Sequence, residues 1–412
     1  MKKSNYFNRR KFLAKSYRGI ASILLLDKVG KIGSGFNNRN VYKGYRNKII
    51  FRVLGKTGIK IPIVNMGVMN TIDPGLIKSS YEIGVRYFDT AAWYMQGRNE
   101  EVLGNTIKKL NIRNKVFIGT KIYIPEQQRN ISFKEAKKTY LKIIEESLKR
   151  LKTDYVDILY SHSVSTVSWL NNPGILEALS YLKKSGKARF IGLSTHSNMI
   201  ECITNATSSG FYDVVLTSFN YSFSNDRKYI TAMKNAVTKG IGIIAMKTQC
   251  NQSWYKKLFE PESKYKYYEG NIIHTALLKW VLRHKFITSV IPGYTSFQQM
   301  DEDFSVAYNL EYKPEEKKFL KDRNIKLSMA SVCKQCSYCI SSCPYGVDIP
   351  TLIRAHMYAV NYGNLFLSKN TLDEVPVGRG LDICLSCNNC LANCINNVDI
   401  SERIGELKLI YG

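Results

Sequence analysis

The sequence predicts an α/β chain, a (β/α)8 TIM barrel followed by a small, mainly helical domain. Two observations carry the barrel. Eight short apolar or β-branched runs recur from residue 50 onward, and the segments between them have helical period. Alternation sustained over about 250 residues suits a closed barrel better than an open sheet. A third observation carries the end domain: of ten cysteines, eight crowd into two runs after residue 330.

The expected strands, in order, are IPIVNMGV from residue 61, VRYFDT from 85, KVFIGTK from 115, YVDILYS from 155, ARFIGLST from 188, DVVLTSF from 213, IGIIAMK from 241 and TSVIPG from 288. Between the third and fourth, Leu141, Ile144, Leu148 and Leu151 repeat at helical spacing, which predicts one amphipathic helix. At 412 residues the chain has room for a large and a small domain, and we divide it into a basic leader and linker at 1–49, the barrel at 50–328 and the cysteine domain at 329–412.

Composition excludes some classes. With 44% apolar and 23% charged residues the chain is ordinary for a globular protein, and no apolar run approaches the roughly 20 residues that span a bilayer. An integral membrane segment is therefore not expected. The net charge of +27 raises nucleic acid as a partner, but residues 1–50 hold 13 basic side chains against one acid. The remainder is lysine spread over solvated helix faces, and nucleic acid is not expected either.

Chemistry in such a barrel belongs at the C-terminal ends of the strands. The second strand ends at Asp89, with Tyr94 five residues on; the third ends at Lys121 and the fourth near His162. Taken singly, these read as a helix N-cap, a rim aromatic, a solvated lysine and a satisfied polar residue. At successive strand ends they would converge on one mouth, which favours a catalytic group.

These stretches, with FRVLGKTGIKIP at 51–62, GKARFIGLSTHS at 186–197 and SVIPG at 289–293, resemble the aldo-keto reductase family over roughly residues 50–310. The resemblance implies an NADP(H)- or NAD(H)-dependent oxidoreductase that interconverts a small-molecule carbonyl and an alcohol. It makes Tyr94 the general acid, with Lys121, held by Asp89, depressing the phenol pKa, and His162 orienting the carbonyl. On the cofactor side it implies Ser194 and Thr195 where the family usually has Ser-Asn, Thr217 where Gln is common, and Gly293, Ser296 and Gln299 in the last loops. Gln299, Glu302 and Asp303 stand where a basic residue for a 2′-phosphate is often found, so the sequence does not choose between the two cofactors. The substrate loops, 164–173 and 248–270, contain Trp169, Trp254, Tyr255, Tyr265, Tyr267 and Tyr268, which suggest an aromatic-lined mouth.

Each tail run is C-x2-C-x2-C-x3-C: Cys333, Cys336, Cys339 and Cys343, then Cys384, Cys387, Cys390 and Cys394. Three thiolates at that spacing can wrap one corner of a 4Fe-4S cubane. Paired zinc sites are the alternative, but they prefer two-plus-two ligand groups. Two 4Fe-4S clusters are therefore expected. The runs are similar to those of bacterial ferredoxins, which implies one cluster on Cys333, Cys336, Cys339 and Cys394 and one on Cys384, Cys387, Cys390 and Cys343. The spacer DIPTLIRAHMYAVNYGNLFLSKN reads as helix, similar to the di-cluster tail of some aldo-keto reductases. Such a tail implies an electron-transfer partner, and an alternative function in which the barrel holds its cofactor as a redox sensor while the clusters relay electrons.

Near the start, Arg9, Arg10, Lys11, Phe12, Leu13 and Lys15 precede the apolar GIASILLL, and resemble a twin-arginine export signal. Export is the expectation, with the cytoplasm as the alternative.

Overall fold

The structure is a computed structural model that describes residues 48–124, 131–249, 272–323, 325, 332–387 and 389–412. The chain divides into two compact units, Met1–Tyr45 and Arg46–Gly412. The first, with the twin-arginine stretch, lies outside the described residues, as do Cys250, Trp254, Tyr255, Tyr265, Tyr267 and Tyr268.

Within the second unit, β3 (Met66–Gly67), β4 (Tyr87–Asp89), β5 (Phe117–Ile122), β6 (Val156–Ser161), β7 (Ala188–Thr195), β8 (Val214–Ser218), β9 (Gly242–Met246) and β10 (Ser289–Val290) form one eight-stranded parallel sheet in sequential order. Val64 bridges Val290, and the Gly67 amide donates to the Pro292 carbonyl at 3.0 Å, so the first strand meets the last and the barrel closes. Seven of these eight strands lie within runs expected from the sequence, and β5 passes the end of its run by one residue, Ile122. Buried on both faces, such strands read as nearly continuous apolar runs, which is why they stand out.

The hairpin of β1 (Phe51–Val53) and β2 (Lys60–Pro62) seals the opposite end. Its Leu54, Ile59 and Ile61 pack beneath Tyr87, Ile158, Tyr160, Val214 and Ile244 inside the barrel. Arg52 clamps it by donating to the carbonyls of Ile287, at 2.6 Å, and Leu282, at 2.8 Å. Gly55 sits at φ 51°, and a Cβ there would meet the Gly240 carbonyl oxygen at 2.3 Å, so only glycine fits where the hairpin touches the barrel.

The Phe133–Leu151 helix begins at a capping box of Ser132 and Glu135. It buries Tyr140, Ile144, Leu148 and Leu151, with Leu141 only half-buried, so the inward stripe is rotated by one residue from the expected phase at its start.

The C-terminal segment is largely helical, with helices Tyr338–Ser341, Ile349–His356, Leu365–Leu372, Leu381–Ser386 and Ile400–Tyr411. It has its own apolar core of Val347, Ile349, Leu352, Ile353, Ile404 and Leu407. The spacer between the cysteine runs is not one helix. It passes from Ile349–His356 into a π-helical turn, Met357–Asn361, then reverses at Gly363, at φ 63°, before the Leu365–Leu372 helix. That turn faces the barrel mouth.

Candidate active site

The C-terminal ends of the strands open into a cavity of about 550 Å³. Asp89, Tyr94, His162, Ser194, Gly293 and Gln299 line it from the barrel. Lys121, one residue from the end of β5, lies beneath it: its Nζ donates to Asp89 and, at 2.6 Å, to the Thr90 carbonyl, and stands 4.9 Å from the centroid of the Tyr94 ring. Lys121 is 1% exposed, which rules out the solvated reading. Burial raises the Asp89 carboxyl and lowers the Lys121 ammonium, and the ion pair between them opposes both shifts. Behind them the Tyr87 hydroxyl donates to Asp89 at 2.9 Å and lies 3.0 Å from the Tyr160 hydroxyl, fixing the carboxylate from its far side.

Tyr94 opens a tight turn in which Met95 and Gln96 both adopt positive φ. This uncommon pair of non-glycine residues holds the phenol at the mouth. The ring meets His162 edge-on at 5.8 Å, and Tyr123 meets the same imidazole at 5.6 Å. The expected depression of the Tyr94 pKa by Lys121 is opposed by the burial of the ring. Burial raises the phenol well above its usual range, with the carboxylates of Asp89 and Glu374 adding to the rise, because the lysine charge is already matched by Asp89.

The cofactor-side residues divide. Ser194 lines the cavity and its Oγ accepts from the Ser163 amide at 3.1 Å. Gly293 and Gln299 line it too, and the Gln299 Oε1 accepts from the Thr295 amide at 2.8 Å. Ser296 caps the Phe297–Ser305 helix by accepting from the Gln299 amide. Thr195 and Thr217 are buried and turn to internal partners: Thr195 donates to the Ser197 carbonyl at 2.8 Å, and Thr217 lies 2.7 Å from the Tyr229 hydroxyl. Asn70, which the sequence did not single out, lines the cavity with its Nδ2 toward the Gly293 carbonyl. Its Oδ1 is sealed from solvent and accepts no hydrogen bond among the described residues. A carboxamide donor is what that oxygen lacks, so the site fits a nicotinamide group.

The other wall comes from the tail. Arg354, Tyr358, Tyr362 and Glu374 line the same cavity. Arg354, 7% exposed, pairs with Glu374 and donates to the His196 Nε2 at 2.7 Å. Burial, then Lys247, Arg354 and the neighbouring His162, push His196 well below the usual imidazole range, so it is neutral and accepts that bond. Lys247, directly after β9, stands with its Nζ 5.6 Å from the Tyr358 ring centroid; burial and the charge of Arg354 push it down to about 7. Spacing along the chain cannot place these tail residues at the mouth, since it does not say where the tail folds back.

The eight tail cysteines are free thiols, Cys339 buried and Cys336 exposed. Burial, then the neighbouring Cys333, Cys336 and Cys394, pushes Cys339 up to about 12; burial, then Cys343 foremost, pushes Cys384 up to about 11. The thiols sense one another in two groups, yet among the described residues no group of three or more His, Cys, Asp or Glu side chains is placed to hold a metal ion. The expectation of two 4Fe-4S clusters on Cys333, Cys336, Cys339, Cys343, Cys384, Cys387, Cys390 and Cys394 is corrected on that finding. Physically, several of these thiols pack into the apolar core of the tail, where burial disfavours the thiolate that ligates metal. The ferredoxin-type, redox-sensor and electron-relay readings lose their basis with it, as does an electron-transfer partner.

Among known proteins, residues 75–257 match the model of the aldo/keto reductase family and residues 332–399 match the model of a 4Fe-4S dicluster domain. The second match records the cysteine pattern, which the side-chain arrangement does not complete as a metal site. The L-galactose dehydrogenase of Arabidopsis thaliana is 28% identical over 291 residues, covering 64% of this chain and 90% of the relative. The L-glyceraldehyde 3-phosphate reductase of Escherichia coli K12 is 22% identical over 316 residues, covering 65% and 90%. An aldo-keto reductase from Bacillus halodurans in its holo form superposes with a TM-score of 0.53 at 19% identity, covering 68% of this chain and 99% of that one. One from Klebsiella pneumoniae in complex with NADPH gives 0.50 at 19%, covering 68% and 95%. Together these matches support an NAD(P)-dependent oxidoreductase of the aldo-keto reductase type. Among the described residues, no helix is long and apolar enough to cross a membrane.

Proposed function

We propose that the chain interconverts a small carbonyl compound and its alcohol, with Tyr94 as the proton donor in the reducing direction. The observation that carries this reading is the convergence of Tyr94, His162 and the buried Lys121–Asp89 pair on one cavity. Asn70, Ser194, Gly293 and Gln299 would hold the nicotinamide cofactor, which when bound supplies the hydride. The raised pKa keeps Tyr94 protonated through the neutral range, so it meets the carbonyl oxygen as an acid. As the proton leaves, the phenolate forms 4.9 Å, measured from the ring centroid, from the Lys121 ammonium, whose attraction grows only once the charge has appeared. His162, braced edge-on by Tyr123, would donate a hydrogen bond to the same oxygen. Tyr87 and Asp89 position Lys121 rather than touch substrate.

The names of the Arabidopsis and Escherichia coli relatives point to hydroxylated aldehydes and their alcohols as the first compounds to try. Oxidation of NADPH and of NADH is followed with a panel of aldoses, short aldehydes and aromatic aldehydes. Carbonyl-dependent oxidation is the expected result; none with any member, together with no binding of either cofactor, would overturn the reading.

A further inference from the structure

We propose that Lys247 of the barrel and Arg354 of the tail form a subsite for an anionic group, a carboxylate or phosphate, on the carbonyl substrate. This rests on the reading of the cavity as a carbonyl-reducing site and adds the class of compound it takes.

Both side chains line the cavity that Tyr94 and His162 line, and they are the cations of its tail-side wall. Three of the four carboxylates that line the cavity are committed, Glu302 being the fourth. Asp89 is held by Lys121, and Glu374 by Arg354, while Asp303 accepts from Gln249 at 2.6 Å and burial pushes its carboxyl well above the usual range. Among the described residues no carboxylate lies within ion-pair distance of Lys247, whose ammonium stands over the face of Tyr358. Burial and the charge of Arg354 oppose the Lys247 ammonium, and Lys247 is also held in the left-handed region at φ 53°, a conformation that costs about 1 kcal/mol or more in a lysine. An anion between them would relieve the repulsion and take charge-assisted hydrogen bonds from both. Arg354 is already oriented, since Glu374 and His196 fix its guanidinium before any ligand arrives.

The subsite lies beside the reacting groups. Tyr358, under the Lys247 ammonium, and Glu374, paired with Arg354, line the same cavity as Tyr94 and His162. A substrate with its carbonyl at Tyr94 would therefore carry its anionic group a short distance away, against the tail.

The test uses the full chain and two readouts. In turnover, the ratio of kcat/KM for 4-carboxybenzaldehyde to that for 4-methylbenzaldehyde is measured for the wild type, Lys247→Gln and Lys247→Arg. A preference for the carboxylate that falls about tenfold or more in Lys247→Gln and returns in Lys247→Arg is expected, the worth of one charge-assisted hydrogen bond. In binding, benzoate and benzamide are titrated calorimetrically, so the subsite is judged even if no aldehyde is turned over. Benzoate binding that weakens in Lys247→Gln supports the proposal. No preference for benzoate over benzamide overturns it. An equal loss of ADP binding in Lys247→Gln also overturns it, since the anion would then be a cofactor phosphate.

Discussion

At the scale of single residues, the site depends on a buried ion pair. Lys121 and Asp89 are 1% and 3% exposed at their side chains, and each is tolerable only because of the other. Asp89→Asn leaves the ammonium without its counter-charge and takes a charged acceptor from Tyr87, so unfolding in urea should lose about 3 kcal/mol or more. A loss under about 1 kcal/mol would mean that neither charge depends on the other. Asp89, Tyr94, Lys121 and His162 were legible in the sequence because each stands at or just past the end of an apolar run, and the barrel brings such ends together. The ionisation of Tyr94 was not legible. It depends on how far burial and the match between Lys121 and Asp89 outweigh the attraction of the lysine, and that balance exists only in three dimensions.

At the scale of elements, the strands announce themselves and the tail does not. A parallel strand buried on both faces leaves an unbroken apolar run, whereas the hairpin at 51–62 is three residues a side and shows no alternation long enough to read. The tail spacer has helical composition throughout, yet Gly363 at positive φ and the preceding π-turn fold it back, and that fold brings Arg354, Tyr358 and Glu374 to the mouth. Thr195 and Thr217 show the converse. Their positions in sequence suggest cofactor contacts, but the Ser197 carbonyl and the Tyr229 hydroxyl bond to their hydroxyls. The cysteine runs give the sharpest difference, because spacing along the chain specifies which thiols can approach, not whether their sulfurs meet around one centre.

For the whole molecule, the response of stability to pH is a contest between buried groups. His196, His274, His284 and His356 are all pushed down by burial, so below the unfolded imidazole pKa the unfolded chain binds more protons and stability drains away as pH falls. Asp89, Glu100 and Asp303 are pushed up, which works in the opposite sense. His274→Gln isolates one side. His274 is lowered to about 4, so its contribution is full above about pH 6.5 and is lost toward about 4. Relative to the variant, the wild type should lose up to about 1.4 kcal/mol per pH unit across that window in denaturant unfolding. A gap that stays constant from pH 7.5 to 5 would contradict it.

Whether the barrel reduces carbonyls through Tyr94 is decided by a single-turnover measurement. Enzyme loaded with NADPH is mixed with an aldehyde that the wild type reduces, and cofactor oxidation is followed for the wild type and Tyr94→Phe. The variant is expected to bind NADPH, keep its fold and transfer hydride about 10²- to 10⁴-fold more slowly, the worth of a positioned general acid. Equal rates in the two proteins would contradict that role.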